Sequence, residues 1–147
     1  MIISGNAKVS NVYGAYSYGD SEVTNNKVTI TGNVTVGQFD GIENNEFNGF
    51  IVGGYSETGN ANSNEVVVDG KSDQLKLGAN LISGGYSKEG NANSNKVTIS
   101  NVDFTVSENR TFDIYGGLAN NGAVTGNEDS INNITIANTD ETFIAGG

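Results

Sequence analysis

The chain has 147 residues, a hydrophobic share of 35% and a formal charge of −10, from 17 acidic and 7 basic side chains. It contains no cysteine, histidine, proline or tryptophan. That excludes a disulfide framework, a thiolate metal site and Ser–His or Cys–His nucleophilic catalysis. The acidic balance, with Arg110 and the lysines scattered, excludes a nucleic-acid surface, and no run approaches the roughly 18 apolar residues that span a bilayer.

In chain order, Met1-Ile2-Ile3 is too short for a signal peptide. Val12-Tyr13 runs into Gly14-Ala15-Tyr16-Ser17, followed by Val28-Thr29-Ile30 and Val34-Thr35-Val36. After an insertion around Asp40 to Asn48, Ile51-Val52 runs into Gly53-Gly54-Tyr55-Ser56, followed by Val66-Val67-Val68 and Leu75-Lys76-Leu77. Leu81-Ile82 precedes Gly84-Gly85-Tyr86-Ser87, then come Val97-Thr98-Ile99 and Phe104-Thr105-Val106. Ile114-Tyr115 precedes Gly116-Gly117-Leu118-Ala119, with Ile134-Thr135-Ile136 further on and extra residues expected around Gly126 to Ser130. Phe143-Ile144 precedes Gly146-Gly147, where a fifth copy begins without a third strand in the fourth.

The leading glycines fall at 14, 53, 84, 116 and 146, in steps of 39, 31, 32 and 30. Alternating β-branched and aromatic residues between polar breakers read as strands. Strands this short are stable only when stacked on equivalents in the next unit. The expected fold is all-β: a parallel β-helix of about 31 residues per coil, three short strands each, right-handed by connection chirality. The expected units are 12–50, 51–81, 82–113 and 114–142, with a truncated fifth from 143. The chain as a whole reads as one repeat domain, 1–147, cut mid-repeat from a longer protein. Stacking puts Val28, Val66, Val97 and Ile134 in one buried column, and Ile30, Val68, Ile99 and Ile136 in another.

Asn26, Asn64, Asn95 and Asn132 align before the second strand and read as an amide ladder satisfying turn backbone. A polar array for glycan hydroxyls is the functional alternative. Tyr16, Tyr55 and Tyr86 form an aromatic column that Leu118 continues, which favours packing; a sugar-stacking platform is the alternative. The paired glycines mark tight bends or close coil contact, because the phosphate-loop pattern is absent. Matches to the glycosylation sequon at Asn33, Asn109 and Asn133 carry little in an asparagine-rich chain.

Glu128-Asp129 and Asp140-Glu141 are the strongest acidic pairs, yet neither recurs with its neighbours in other units. The calcium-repeat pattern fails at Ser56 and lacks its aspartate. No catalytic residue, cofactor or metal site is therefore assigned. The residues that break the repeat are the best binding candidates: Asp40, Glu43, Asn44 and Asn45 in one loop, Asn120, Asn121, Glu128 and Asp129 in the other.

The phrase Ile114-Tyr115-Gly116-Gly117, with Gly90-Asn91-Ala92-Asn93-Ser94-Asn95-Lys96-Val97-Thr98-Ile99, resembles passenger repeats of bacterial autotransporter (type V secreted) adhesins. The resemblance implies a right-handed β-helix displayed outside the outer membrane of a diderm bacterium, as adhesin or stalk. Its partners would be host or bacterial cell-surface glycans or proteins. The segment itself would not enter the membrane, and open coil ends would self-associate weakly. A carbohydrate-active β-helix, lyase-like or tailspike-like, is the alternative. It needs carboxylates converging on one face. A trimeric head of much shorter repeats conflicts with the period.

Overall fold

The computed structural model describes residues 1–37, 49–70, 75–77, 79–105, 111–137 and 141–146. The chain enters through β1 (Ile2–Gly5) and β2 (Lys8–Val9). The next coil contains β3 (Val12–Tyr13), β4 (Tyr16–Ser17), β5 (Val23–Thr24), β6 (Lys27–Gly32) and β7 (Thr35–Val36). The following one contains β8 (Gly49–Ser56), β9 (Ala61–Asn62), β10 (Glu65–Asp69) and β11 (Leu75–Leu77). Then come β12 (Ala79–Ser87) with β13 (Lys96–Thr105), β14 (Thr111–Ala119) with β15 (Glu128–Ala137), and β16 (Glu141–Ala145).

Every pairing is parallel, and no helix occurs among the described residues. One wall runs β3/β4–β8–β12–β14–β16, and a second sheet holds β1, β6, β10, β13 and β15 with β2, β7 and β11. Equivalent residues lie 31 or 32 positions apart in the later coils, as in Glu65 on Lys96 and Lys96 on Glu128. The fold is the expected parallel β-solenoid.

The apolar columns are its core. Val28, Val66 and Val97 stack in register, as do Ile30, Val68 and Ile99, and all six are fully buried. Val12, Ile51, Ile82 and Ile114 face them from the opposite wall. Val36 stacks under Leu77 and Leu75 under Val102, closing the third side. Burying such side chains stabilises by about 1.5–3 kcal/mol each before chain entropy is charged against it.

Four expectations about the repeat are corrected by the pairing. Ile131, not Ile136, continues the Ile99 column, and Asp129, not Ile134, continues Val97. Ile134 and Ile136 pair with Val102 and Phe104, so they are the third strand of the fourth coil, which is therefore complete. No extra residues sit at 126–130: Asn95 and Asn127 are 32 apart, as a regular coil requires. The apolar alternation of 134–136 mimics that of 97–99, and an aspartate hides the true match. Leu81 is also one position off, lying beside Phe50 while Ile82 enters the core over Ile51.

The glycine–asparagine loop is itself a wall. β5 and β9 pair, and the ladder runs on through Ala61 N–H to Asn91 O and Ala92 N–H to Ala123 O. Ala61 and Ala92 are fully buried. Among the described residues, four hydrogen-bonded segments thus make up each coil. In the third coil the two expected strands merge into β13, bent at Asn101 (φ 54°), and in the fourth a single strand, β15, occupies both places.

Candidate functional site

Each residue of the repeated phrase has a defined place. The second glycine of each pair clears space for an asparagine from across the coil: a Cβ on Gly54 would lie 2.6 Å from Asn64 Cγ, and one on Gly85 would overlap the Asn95 carboxamide. The serine after the tyrosine ties the next corner. Ser87 Oγ donates to Gly59 O at 2.7 Å and accepts from Gly90 N–H at 2.8 Å. Ser56 repeats this with Ser21 O and Gly59 N–H.

The residue before each ladder asparagine is left-handed: Asn25 (φ 59°), Ser63 (φ 56°), Ser94 (φ 56°) and Gly126 (φ 62°). That conformation aims the next side chain inward. Asn64 Oδ1 then accepts from Asn26 N–H and Nδ2, both at 3.0 Å, while Asn64 Nδ2 donates to Val23 O. Asn95 repeats the arrangement with Asn64 and Ala61 O. Asn127 Oδ1 accepts from Asn95 N–H and Asn127 Nδ2 donates to Ala92 O. The ladder is therefore Asn26–Asn64–Asn95–Asn127. Asn132 is displaced from it, lying opposite Ser100 on β13. Outer ladders flank it, with Asn60 accepting from Asn91 N–H and Asn62 from Asn93 N–H.

The tyrosines share one register column, Tyr16–Tyr55–Tyr86–Leu118. Tyr16 and Tyr55 stack with centroids 4.4 Å apart, and Tyr86 meets Tyr55 edge-on at 5.1 Å. Tyr13 and Tyr18 flank Tyr16 at 5.3 Å and 4.6 Å. Tyr55 is buried, but Tyr16 is 41% and Tyr18 81% exposed. Tyr13, Tyr16, Tyr55 and Tyr86 line a groove of about 270 Å³, together with Phe50, Val52 and Leu81 and the charged pair Glu57 and Lys88.

The charged pair belongs to a polar knot. Lys88 Nζ lies 2.7 Å from Glu57 Oε2 and 5.9 Å from the Tyr55 ring centroid. Glu57 Oε1 accepts from Tyr55 Oη at 2.8 Å and from Tyr16 Oη at 3.1 Å. The ammonium, then the Tyr55 hydroxyl, holds the Glu57 carboxyl below its ordinary range. Glu57 in turn raises Lys88. The Tyr16 and Tyr55 hydroxyls are pushed well above the tyrosine range, by desolvation first and by donation to Glu57 second. These groups stay in one protonation state at neutral pH, so the knot orients without exchanging protons.

The loop candidates fare differently. Asp40, Glu43, Asn44 and Asn45 lie outside the described residues. Asn120 and Asn121 are not in an insertion: their N–H groups donate to Ser87 O and Lys88 O, in step with the coil below. Asn120 Nδ2 donates to Tyr86 Oη and Asn121 Nδ2 to Glu89, which brings Asn120 beside the tyrosine column. Glu128 and Asp129 open β15 rather than a loop, and Glu128 Oε2 lies 3.1 Å from Lys96 Nζ. The groove is not legible as a site in the sequence because Phe50, Glu57, Leu81 and Lys88 carry no motif; only Glu57 and Lys88, two residues after Tyr55 and Tyr86, share the tyrosines' strand face by spacing. Among the described residues, no cluster of three or more acidic, His or Cys side chains is placed to hold a metal.

The chain matches no protein family, and neither the curated proteins nor the solved structures hold a significant match to it.

Proposed function

We propose that this chain is a non-catalytic segment of a secreted, surface-displayed bacterial protein of the autotransporter adhesin kind, a scaffold or stalk in cell or host attachment. One observation carries the reading: the same asparagine, serine and tyrosine positions bond coil to coil through successive turns. A fold in which each turn contacts only its neighbours lengthens by repetition, without a new core. That property suits reach and display. Two further features support it. The cysteine-free sequence suits transit through an oxidising compartment, and the acidic surface favours solubility as a long rod.

The test uses intact cells that make the parent protein, with an antibody against residues 79–99. Protease added outside should abolish the signal while a cytosolic control survives. Protection of the epitope until lysis would sink the proposal.

A further inference from the structure

We infer that the tyrosine groove binds a neutral hexopyranose unit of a glycan, a ligand class that rests on the surface-displayed reading for its role but not for its chemistry. The groove is lined by the rings of Tyr13, Tyr16 and Tyr86, with Tyr16 41% exposed, and by the apolar side chains of Phe50 and Leu81. A pyranose has an apolar C–H face that lies on such rings and a rim of hydroxyls that needs polar partners. Glu57, Lys88 and Tyr55 line the groove to meet them.

Its size, about 270 Å³, lies just below the range of pockets that take drug-sized ligands, which suits one sugar ring.

Charge decides between ligand classes. A tyrosine cage with a carboxylate also suits a quaternary ammonium. Here that place is taken: Lys88 Nζ sits 2.7 Å from Glu57 and 5.9 Å from the Tyr55 centroid, so a cationic ligand would have to displace it. An anionic sugar meets a chain of net charge −10, and the groove's one ammonium is already paired. A neutral polyhydroxylated ring avoids both conflicts, and the Glu57–Lys88 pair can donate and accept toward it without breaking.

The chain has six tyrosines and no tryptophan, and five of the six line or border the groove, so tyrosine emission reports on it directly. The probes are methyl glucoside, galactoside and mannoside with their short oligomers, set against glucuronate, N-acetylneuraminate and tetramethylammonium. Saturable change with a neutral hexoside is expected, with Kd on the order of 1 mM for a single ring. Tyr16→Leu, the residue type that Leu118 places in the same column, should weaken it about tenfold in protein that still melts cooperatively, the midpoint falling only by what the lost Tyr55 stack and Glu57 bond contribute. Lys88→Met should weaken hexoside binding and admit tetramethylammonium. Preference of the unaltered protein for an acidic sugar or for tetramethylammonium, or no saturation with any hexoside, would overturn the assignment. A protein that is protease-accessible on cells yet blind to hexosides sinks only this inference; one that binds hexosides but stays protected inside cells sinks only the display reading.

Discussion

At the scale of single residues, the ladder amides carry more than their size indicates. Asn95 satisfies two donors of Asn64 and one carbonyl, all buried. Asn95→Ala strands these groups, and each buried orphan costs about 1–3 kcal/mol. A loss of about 2–4 kcal/mol in chemical denaturation is expected. Asn93→Ala removes two bonds from Thr125, its N–H and its hydroxyl, at an exposed place and should cost about 1 kcal/mol or less. Equal losses would mean the ladder owes nothing to burial. Glu57 gives a pH signature. Its carboxyl titrates below its ordinary 4.5 in the folded chain, so its contribution is present above that value. It fades as pH falls through the lower folded value. The thermal midpoint of Glu57→Gln should fall below wild type at neutral pH and converge with it in acid. The amide ladder was legible in the sequence for three of its members, because Asn26, Asn64 and Asn95 precede similar strands. Asn127 was not, because it precedes Glu128-Asp129 rather than an apolar strand start.

At the scale of elements, corner geometry and column register decide the fit. Ser63 holds a left-handed corner that Asn25 and Gly126 fill in other coils. Ser63→Asn should be neutral or mildly stabilising, and Ser63→Val should cost about 1–2 kcal/mol, since a β-branched side chain is strained there. Both are read by thermal melting. Asp129 stands half-buried at the end of the Val28–Val66–Val97 column. Replacing it with valine removes a charge from an apolar stack and adds contact with Val97. The expected gain is about 1 kcal/mol, a rise of a few degrees in the thermal midpoint; a fall would show that the carboxylate has a partner that matters. This residue also interrupts the apolar pattern that would mark the start of β15 in the sequence. Period-two patterning specifies which face a residue takes, not which column it joins, and Ile134-Thr135-Ile136 fits two columns equally well.

At the scale of the whole molecule, the solenoid is a one-dimensional stack. The inner coils are covered above and below, and Ile51, Val68, Ile82 and Ile99 are fully buried, whereas Ile2 and Ile144 at the outer turns are exposed. Amide exchange should therefore be slowest in β8, β10, β12 and the first half of β13, and fastest in β1 and β16. Uniform protection from end to end would contradict a stack whose neighbours alone stabilise each turn.

By itself, the sequence determined the all-β class, the coil length of about 31 residues, the apolar columns and the tyrosine column. All of these come from local periodicity repeated at a fixed interval, and repetition makes a local signal global. Only the tertiary structure decided the register of the fourth coil, the buried alanine wall, and the groove that sets Glu57 and Lys88 against the tyrosines. Those depend on which residues meet across coils. Hydrogen bonding between whole turns settles that, and no single turn encodes it.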